Sequence, residues 1–143
     1  LKEMNEKPRL SSGLRSIGTH LHFCWDNFTL EVADRLIYAL DCYLALPMLF
    51  LEPDNERRKL YGKASCIRIK EYGERTGIEY RTLSGYAVSS PELIGYLWDG
   101  IQRAVEFVKS EEPIGDWELV ANTINNCDLE TARLIMQEKN VSI

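Results

Sequence analysis

The sequence lacks the cysteine spacing that clamps a metal or staples a small scaffold. Its four cysteines, Cys24, Cys42, Cys66 and Cys127, stand far apart with no CxxC pair. That excludes a zinc knuckle and a small disulfide framework, and makes reduced thiols in the cytoplasm the default expectation. It also lacks a positive balance, with a formal net charge of -5 and an isoelectric point near 5.1. A general nucleic-acid or membrane-surface binder needs a basic face to release counterions or meet anionic lipid, so neither partner is expected. No long apolar run is present: the richest, Tyr43 to Leu51, is interrupted by Pro47 and falls well short of the roughly 20 residues that span a bilayer. The opening LKEMNEKPRL holds no apolar stretch of a secretory signal. Position 1 is Leu and the first methionine is Met4, which fits either a start at Met4 or a chain that begins inside a longer protein. Internal repeats and low-complexity linkers are missing too. What is there, 143 residues with 45% hydrophobic and 27% charged side chains, suffices for one globular domain, or a large piece of one, with its own core.

Residues 1–13 are polar, with Pro8 and Ser11-Ser12-Gly13, and read as a flexible arm ahead of an α+β core over 14–110 and a helical tail of the same domain over 111–143. In the core, Ile17 to Trp25 alternates like a strand. After an Asp26-Asn27 turn, Thr29 is a suitable cap for a helix whose stripe is Val32, Leu36, Leu40 and Leu44, widened by Ala33, Ile37 and Tyr43. Pro47 is expected to kink or end it, because the ring removes a donor and clashes with the preceding turn. Glu52-Pro53-Asp54-Asn55 reads as a turn. Ser90 and Pro91 open a second long helix to about Lys109, with Leu93, Leu97, Ile101, Ala104, Val105 and Val108 inward. Two short helices follow, Trp117 to about Asn125 and Leu129 to about Glu138, capped by Asp116 and Asp128.

Charge is concentrated in one place. Eight Lys or Arg fall between Arg57 and Arg81, as for a small anionic ligand. Within that stretch, Ala64 to Lys70 alternates with Cys66, Arg68 and Lys70 on one face, and Ile78 to Leu83 alternates with Glu79 and Arg81 on one face. The intervening EYGERTG reads as a hairpin with a loop of several residues, which lays Arg68 and Lys70 beside Glu79 and Arg81. A cross-strand ladder of ion pairs on a solvated face would account for these residues alone. The chain has only two histidines, and both lie in one HxH, His20 and His22. On a strand they point the same way, about 7 Å apart, so both can line one site. Antiparallel strands presenting one Glu, two His and several Arg suit a magnesium-nucleotide site, in which carboxylate and imidazole hold metal and arginines neutralise phosphate oxygens.

The order and spacing of HLH, RRKLYGKASCIR and GIEYRTLSG followed by SSPEL resemble the phage-type amidoligases. These are carboxylate-amine ligases of the second type, distant relatives of glutamate-cysteine ligase and glutamine synthetase. The resemblance covers about Arg15 to Val108. It implies an antiparallel sheet with helices packed on one face, carrying ATP and Mg2+ on the concave side, and activation of a carboxylate as an acyl phosphate that an amine converts to an amide. Carried over by motif, His20 and Glu79 become metal ligands. His22 and Arg81 face substrate or the transferred phosphoryl group. Arg57, Arg58 and Arg68, with Lys70 and Arg15, fall to the nucleotide. Tyr61-Gly62 matches the family's Tyr-Gly turn. The implied partners are a small-molecule or peptide carboxylate and an amine.

This chain departs from the family at several points. The double glycine before the histidine strand is Gly18-Thr19, a glycine common after Lys-Ala is Ser65, and the hairpin carries extra residues in GERTG. An earlier Glu-x-Glu strand, which supplies further metal ligands in the family, has no counterpart before Arg15. The chain therefore resembles the C-terminal half of the fold, calling for a missing N-terminal half or a homo-oligomer. A non-catalytic interaction or inhibitor protein on the same scaffold is the alternative, and a small α+β domain with merely solvated ion pairs is the third reading.

Overall fold

The computed structural model describes residues 17–143, folded as a three-stranded antiparallel sheet with helices against one face, the α+β class expected. The strands are β1 (Gly18–Cys24), β2 (Ile67–Tyr72) and β3 (Arg75–Ser84), in the order β1-β3-β2. The strand carrying Glu79 and Arg81 is therefore central, bonded on both sides. Its alternate residues Ile78 and Tyr80 are wholly buried on the helix side, so the strand's period of two sets an apolar face against the core and a charged face away from it.

The hairpin is tighter than the sequence suggested. Tyr72 pairs with Arg75, leaving only Gly73 and Glu74 as the turn, and Ala64 to Cys66 precede the strand rather than belonging to it. Gly73 has φ +67° and Glu74 no positive φ, and a positive φ at the first central position alone marks the type II′ turn, whose twist matches that of the strands it joins. The residues read as extra loop are thus absorbed into longer strands.

Helix α1 (Leu30–Leu40) starts where Thr29 accepts a bond from Val32 N at 3.2 Å. Pro47 does not end it. The chain widens into a π turn over Asp41–Ala45 and continues as α2 (Leu46–Leu51), because the wider i→i+5 turn removes the bond and the clash that the proline ring would otherwise spoil. Residues 36–49 are buried on all sides, more than an amphipathic stripe requires, so this helix is the centre of the core. Helix α3 (Pro91–Lys109) begins at the Ser90 cap. Its buried line is Leu97, Gly100, Ala104 and Phe107, with Leu93, Ile101, Val105 and Val108 only half-buried at its margins. The line is shifted because Gly100 sits against Leu44 and the Phe107 ring against Tyr38. Helices α4 (Trp117–Asn126) and α5 (Leu129–Glu138) are capped by Asp116 and Asp128. Among the described residues no helix is long and apolar enough to cross a membrane.

Candidate active site

Glu79 stands in mid-strand, directly opposite His22 of β1 and Arg68 of β2. Opposed residues of an antiparallel pair share a face, so the histidine strand, the basic strand and the central strand meet at this carboxylate. The register of β1 shifts between Thr19 and Leu21. That bulge leaves His20 against two residues of β3, and irregularities of this kind re-aim a side chain. Here it turns the His20 ring onto Glu79.

The Glu79 side chain is only 6% exposed, and its Oε1 accepts from Arg81 Nη1 at 2.7 Å and lies 2.9 Å from His20 Nδ1. Arg81 Nη2 donates to the Tyr61 hydroxyl at 2.9 Å, and that hydroxyl lies 3.0 Å from His20 Nε2. Glu79, Arg81, Tyr61 and His20 thus close a ring of polar contacts. A guanidinium only donates, so Tyr61 accepts from Arg81, and the direction of its bond to His20 Nε2 follows the protonation of the ring. The Glu79 carboxylate, an acceptor only, places a His20 proton on Nδ1. Burial lowers the pKa of His20 and the Arg81 charge adds to this, against the pull of Glu79. Burial alone would raise the Glu79 carboxyl, but Arg81, then Lys70 and His20, outweigh it and hold Glu79 below the ordinary value.

The second oxygen, Glu79 Oε2, is buried without a hydrogen-bond partner, with Lys70 Nζ 3.9 Å away. Such an orphan costs free energy unless a ligand or ion completes it. Magnesium is usually held by one or two carboxylates and completed by water and substrate phosphates, and this oxygen fits that role. His20 differs, since both of its ring nitrogens already have protein partners, and metal ligation would require Tyr61 to release Nε2. No group of three or more His, Cys, Asp or Glu arranged for a metal exists among the described residues. His22 is exposed on the same face, with Nδ1 bonded to the Tyr72 hydroxyl at 2.7 Å. Arg68 is exposed as well, with no ion pair among the described residues.

Arg57 and Arg58 lie elsewhere, in the turn before β2. Arg58 is 1% exposed and donates to the Gly62 carbonyl at 2.8 Å and to Asn55 at 3.2 Å. Arg57 donates to the Thr82 carbonyl at 2.8 Å, and both guanidinium groups stand against buried Glu52, at 3.6 and 3.5 Å. The pair fastens this turn to β3, and Arg58 offers no surface to a nucleotide. Arg15 lies outside the described residues.

Three residues of this region escaped the sequence reading. Glu52 looked like part of a turn, but it accepts from Ser84 at 2.6 Å beside the two arginines. Tyr61 was placed only as half of a Tyr-Gly turn, and nothing in its spacing says where its hydroxyl goes. Asp41 did carry a signal, as a lone acid inside the apolar run LIYALDCYLAL. It is fully buried and accepts from the Tyr80 hydroxyl at 2.7 Å and from Ser65 Oγ at 2.6 Å.

No curated protein and no solved structure matches the chain. A family model described as phage phiEco32-like COOH.NH2 ligase type 2 does match, over residues 13–98. That span is more than half of the chain and contains every strand among the described residues and the whole ring around Glu79. With the sheet, the charged face and the motif order all falling inside the match, the chain belongs to the phage phiEco32-like COOH.NH2 ligase type 2 family.

Proposed function

We propose that this chain carries the nucleotide- and metal-binding face of an ATP- and Mg2+-dependent ligase that joins a carboxylate to an amine in the cytoplasm. The observation that carries the reading is the buried, unpartnered Oε2 of Glu79 on a sheet face that also carries Arg68, Lys70 and Arg81. Magnesium-bound ATP would supply activation of the carboxylate as an acyl phosphate with loss of ADP, and the amine would then take the acyl group as phosphate leaves.

The chain's own residues bind and orient. Glu79 Oε2 holds the metal. Arg68 and Lys70, exposed on the neighbouring strand, neutralise nucleotide phosphate oxygens. Arg81 is kept charged: burial pulls its pKa down, but Tyr61 and Glu79 outweigh it and raise it. Gripped by both, it presents a fixed positive charge where charge develops on the transferring group, the kind of preorganisation that stabilises a transition state. His22, free at one nitrogen among the described residues, faces the substrate. Arg57 and Arg58 act indirectly, by fastening the turn that delivers Tyr61. The acid and the amine are small molecules or peptide-borne groups. Further carboxylates for a second metal come from an N-terminal half or from a second copy.

Calorimetric titration with ATP, with and without magnesium, tests this. The chain is expected to bind ATP only with magnesium. Glu79→Gln is expected to weaken that binding at least about tenfold while the thermal midpoint moves by only a few degrees. A wild-type chain that takes up no magnesium-ATP would sink the reading in favour of a non-catalytic interaction protein on this scaffold.

A further inference from the structure

We propose that Tyr72 is a latch over the Glu79 site, held across the central strand by His22 and released when ligand enters. The proposal concerns access to that site and rests on the ligase reading for the identity of the ligand. It starts from a mismatch between position and exposure. Glu79 stands on the sheet face turned away from the helices, where its cross-strand partners His22 and Arg68 are exposed. Its own side chain is nevertheless buried, and Oε2 is closed off from solvent without a hydrogen-bond partner. A ligand cannot reach that oxygen until something beside it moves.

One side of the carboxylate is fixed, since His20 and Arg81 meet Oε1 and both also contact Tyr61. Tyr72 closes the side toward the hairpin. Its hydroxyl lies 2.7 Å from His22 Nδ1 and 3.5 Å from the Ile78 carbonyl oxygen, and the two rings meet edge-on with centroids 5.8 Å apart. Tyr72 belongs to β2 and His22 to β1, strands that do not pair with each other. The side chain therefore reaches across β3, and it does so at the peptide that leads into Glu79. Phenol and imidazole can each donate or accept, so the closure holds whichever of the two carries the shared proton. It is also easily undone. A single hydrogen bond between exposed groups has a small net strength, so removing it shifts the balance of closed and open forms only about fivefold. Release uncovers Oε2 and frees His22 Nδ1 in one motion, which makes the acid and the histidine available together.

Carbodiimide labelling of carboxylates with a small amine, read by mass spectrometry, tests the latch in the ligand-free protein. Tyr72→Phe keeps the ring and removes the hydroxyl, and is expected to raise the labelling rate of Glu79 about fivefold. Tyr72→Ala, which removes the ring as well, is expected to raise it further. Exposed Glu118 on α4 serves as the internal reference and should label equally in all three proteins. In calorimetry, magnesium-ATP is expected to bind Tyr72→Phe about fivefold more tightly than wild type, because the closed form no longer competes with the open one. A Glu79 labelling rate that stays at the wild-type value in Tyr72→Phe, or an affinity that fails to rise, overturns the proposal. If the wild type binds no magnesium-ATP, the ligase reading fails while the labelling comparison still decides the role of Tyr72.

Discussion

Two acids set the terms at the scale of single residues, one on each side of the sheet. Asp41 lies in the core, where burial raises its pKa and bonds from Ser65 and Tyr80 only partly offset this. Its oxygens take donors from Tyr80, Ser65 Oγ and Ser65 N. Asp41→Ala strands those donors and opens a void, so a loss of about 3 kcal/mol is expected in urea unfolding. Glu79 has the opposite sign. Its carboxyl is held below the ordinary value, so the stability it contributes is present above the unfolded carboxylate pKa of about 4.3 and is lost as pH falls through the folded value. The stability advantage of wild type over Glu79→Gln should therefore be full near neutrality and shrink as unfolding is measured at progressively lower pH. A gap that stayed constant down the acid limb would contradict the hold of Arg81 and Lys70 on this carboxylate.

Turns and helices show what pattern alone can and cannot reveal. Strand alternation and the Ser90, Asp116 and Asp128 caps were legible because a period of two and an oxygen ahead of a helix are local properties. The face shared by His22, Glu79 and Arg68 followed from that alternation. The hairpin length was not legible, since EYGERTG pairs or loops according to the φ of one glycine. The π turn was hidden for a similar reason: Pro47 announces a disturbance, but only the packed helix shows that one wide turn absorbs it. Position 65 illustrates both sides. The family resemblance leads one to expect glycine where this chain has serine, and the structure gives it φ +56° with its hydroxyl bonded to Asp41 and to Trp117 Nε1. The side chain recovers through bonds what the backbone loses in strain. Gly73, by contrast, has no atom within 4 Å of a would-be Cβ. Gly73→Ala is therefore expected to cost only the backbone term, about 1–3 kcal/mol at a position the II′ turn reserves for glycine, read as a lower urea midpoint with ligand affinity unchanged.

Across the whole molecule, the segment beyond the family match is tied into the site. Helix α4 reaches the residues just before β2 twice, through Trp117 Nε1 to Ser65 Oγ at 3.0 Å and through Asn125 Oδ1, which accepts from Ala64 N at 2.8 Å. A line of bonds thus runs from Trp117 through Ser65 and Asp41 to Tyr80, whose chain neighbours are Glu79 and Arg81. Trp117→Phe retains the ring packing and removes the first link, so a loss of about 1 kcal/mol is expected. Calorimetric unfolding should remain a single transition, because the helix stays docked. Two separable transitions would mean that the tail folds apart from the sheet.

The placement of Tyr80 between Glu79 and Arg81 also bears on how the family can vary. Successive residues of β3 face opposite ways, so inserting or deleting one residue anywhere between Gly77 and Arg81 would exchange the core tyrosine with the site's acid and invert both faces at once. The strand can accept new side chains but not new lengths, whereas the two-residue turn at Gly73 and Glu74 lies beyond the ring and leaves its phase alone. Lineages descended from such a protein should therefore differ in the hairpin tip by whole insertions while keeping the spacing around the acid fixed.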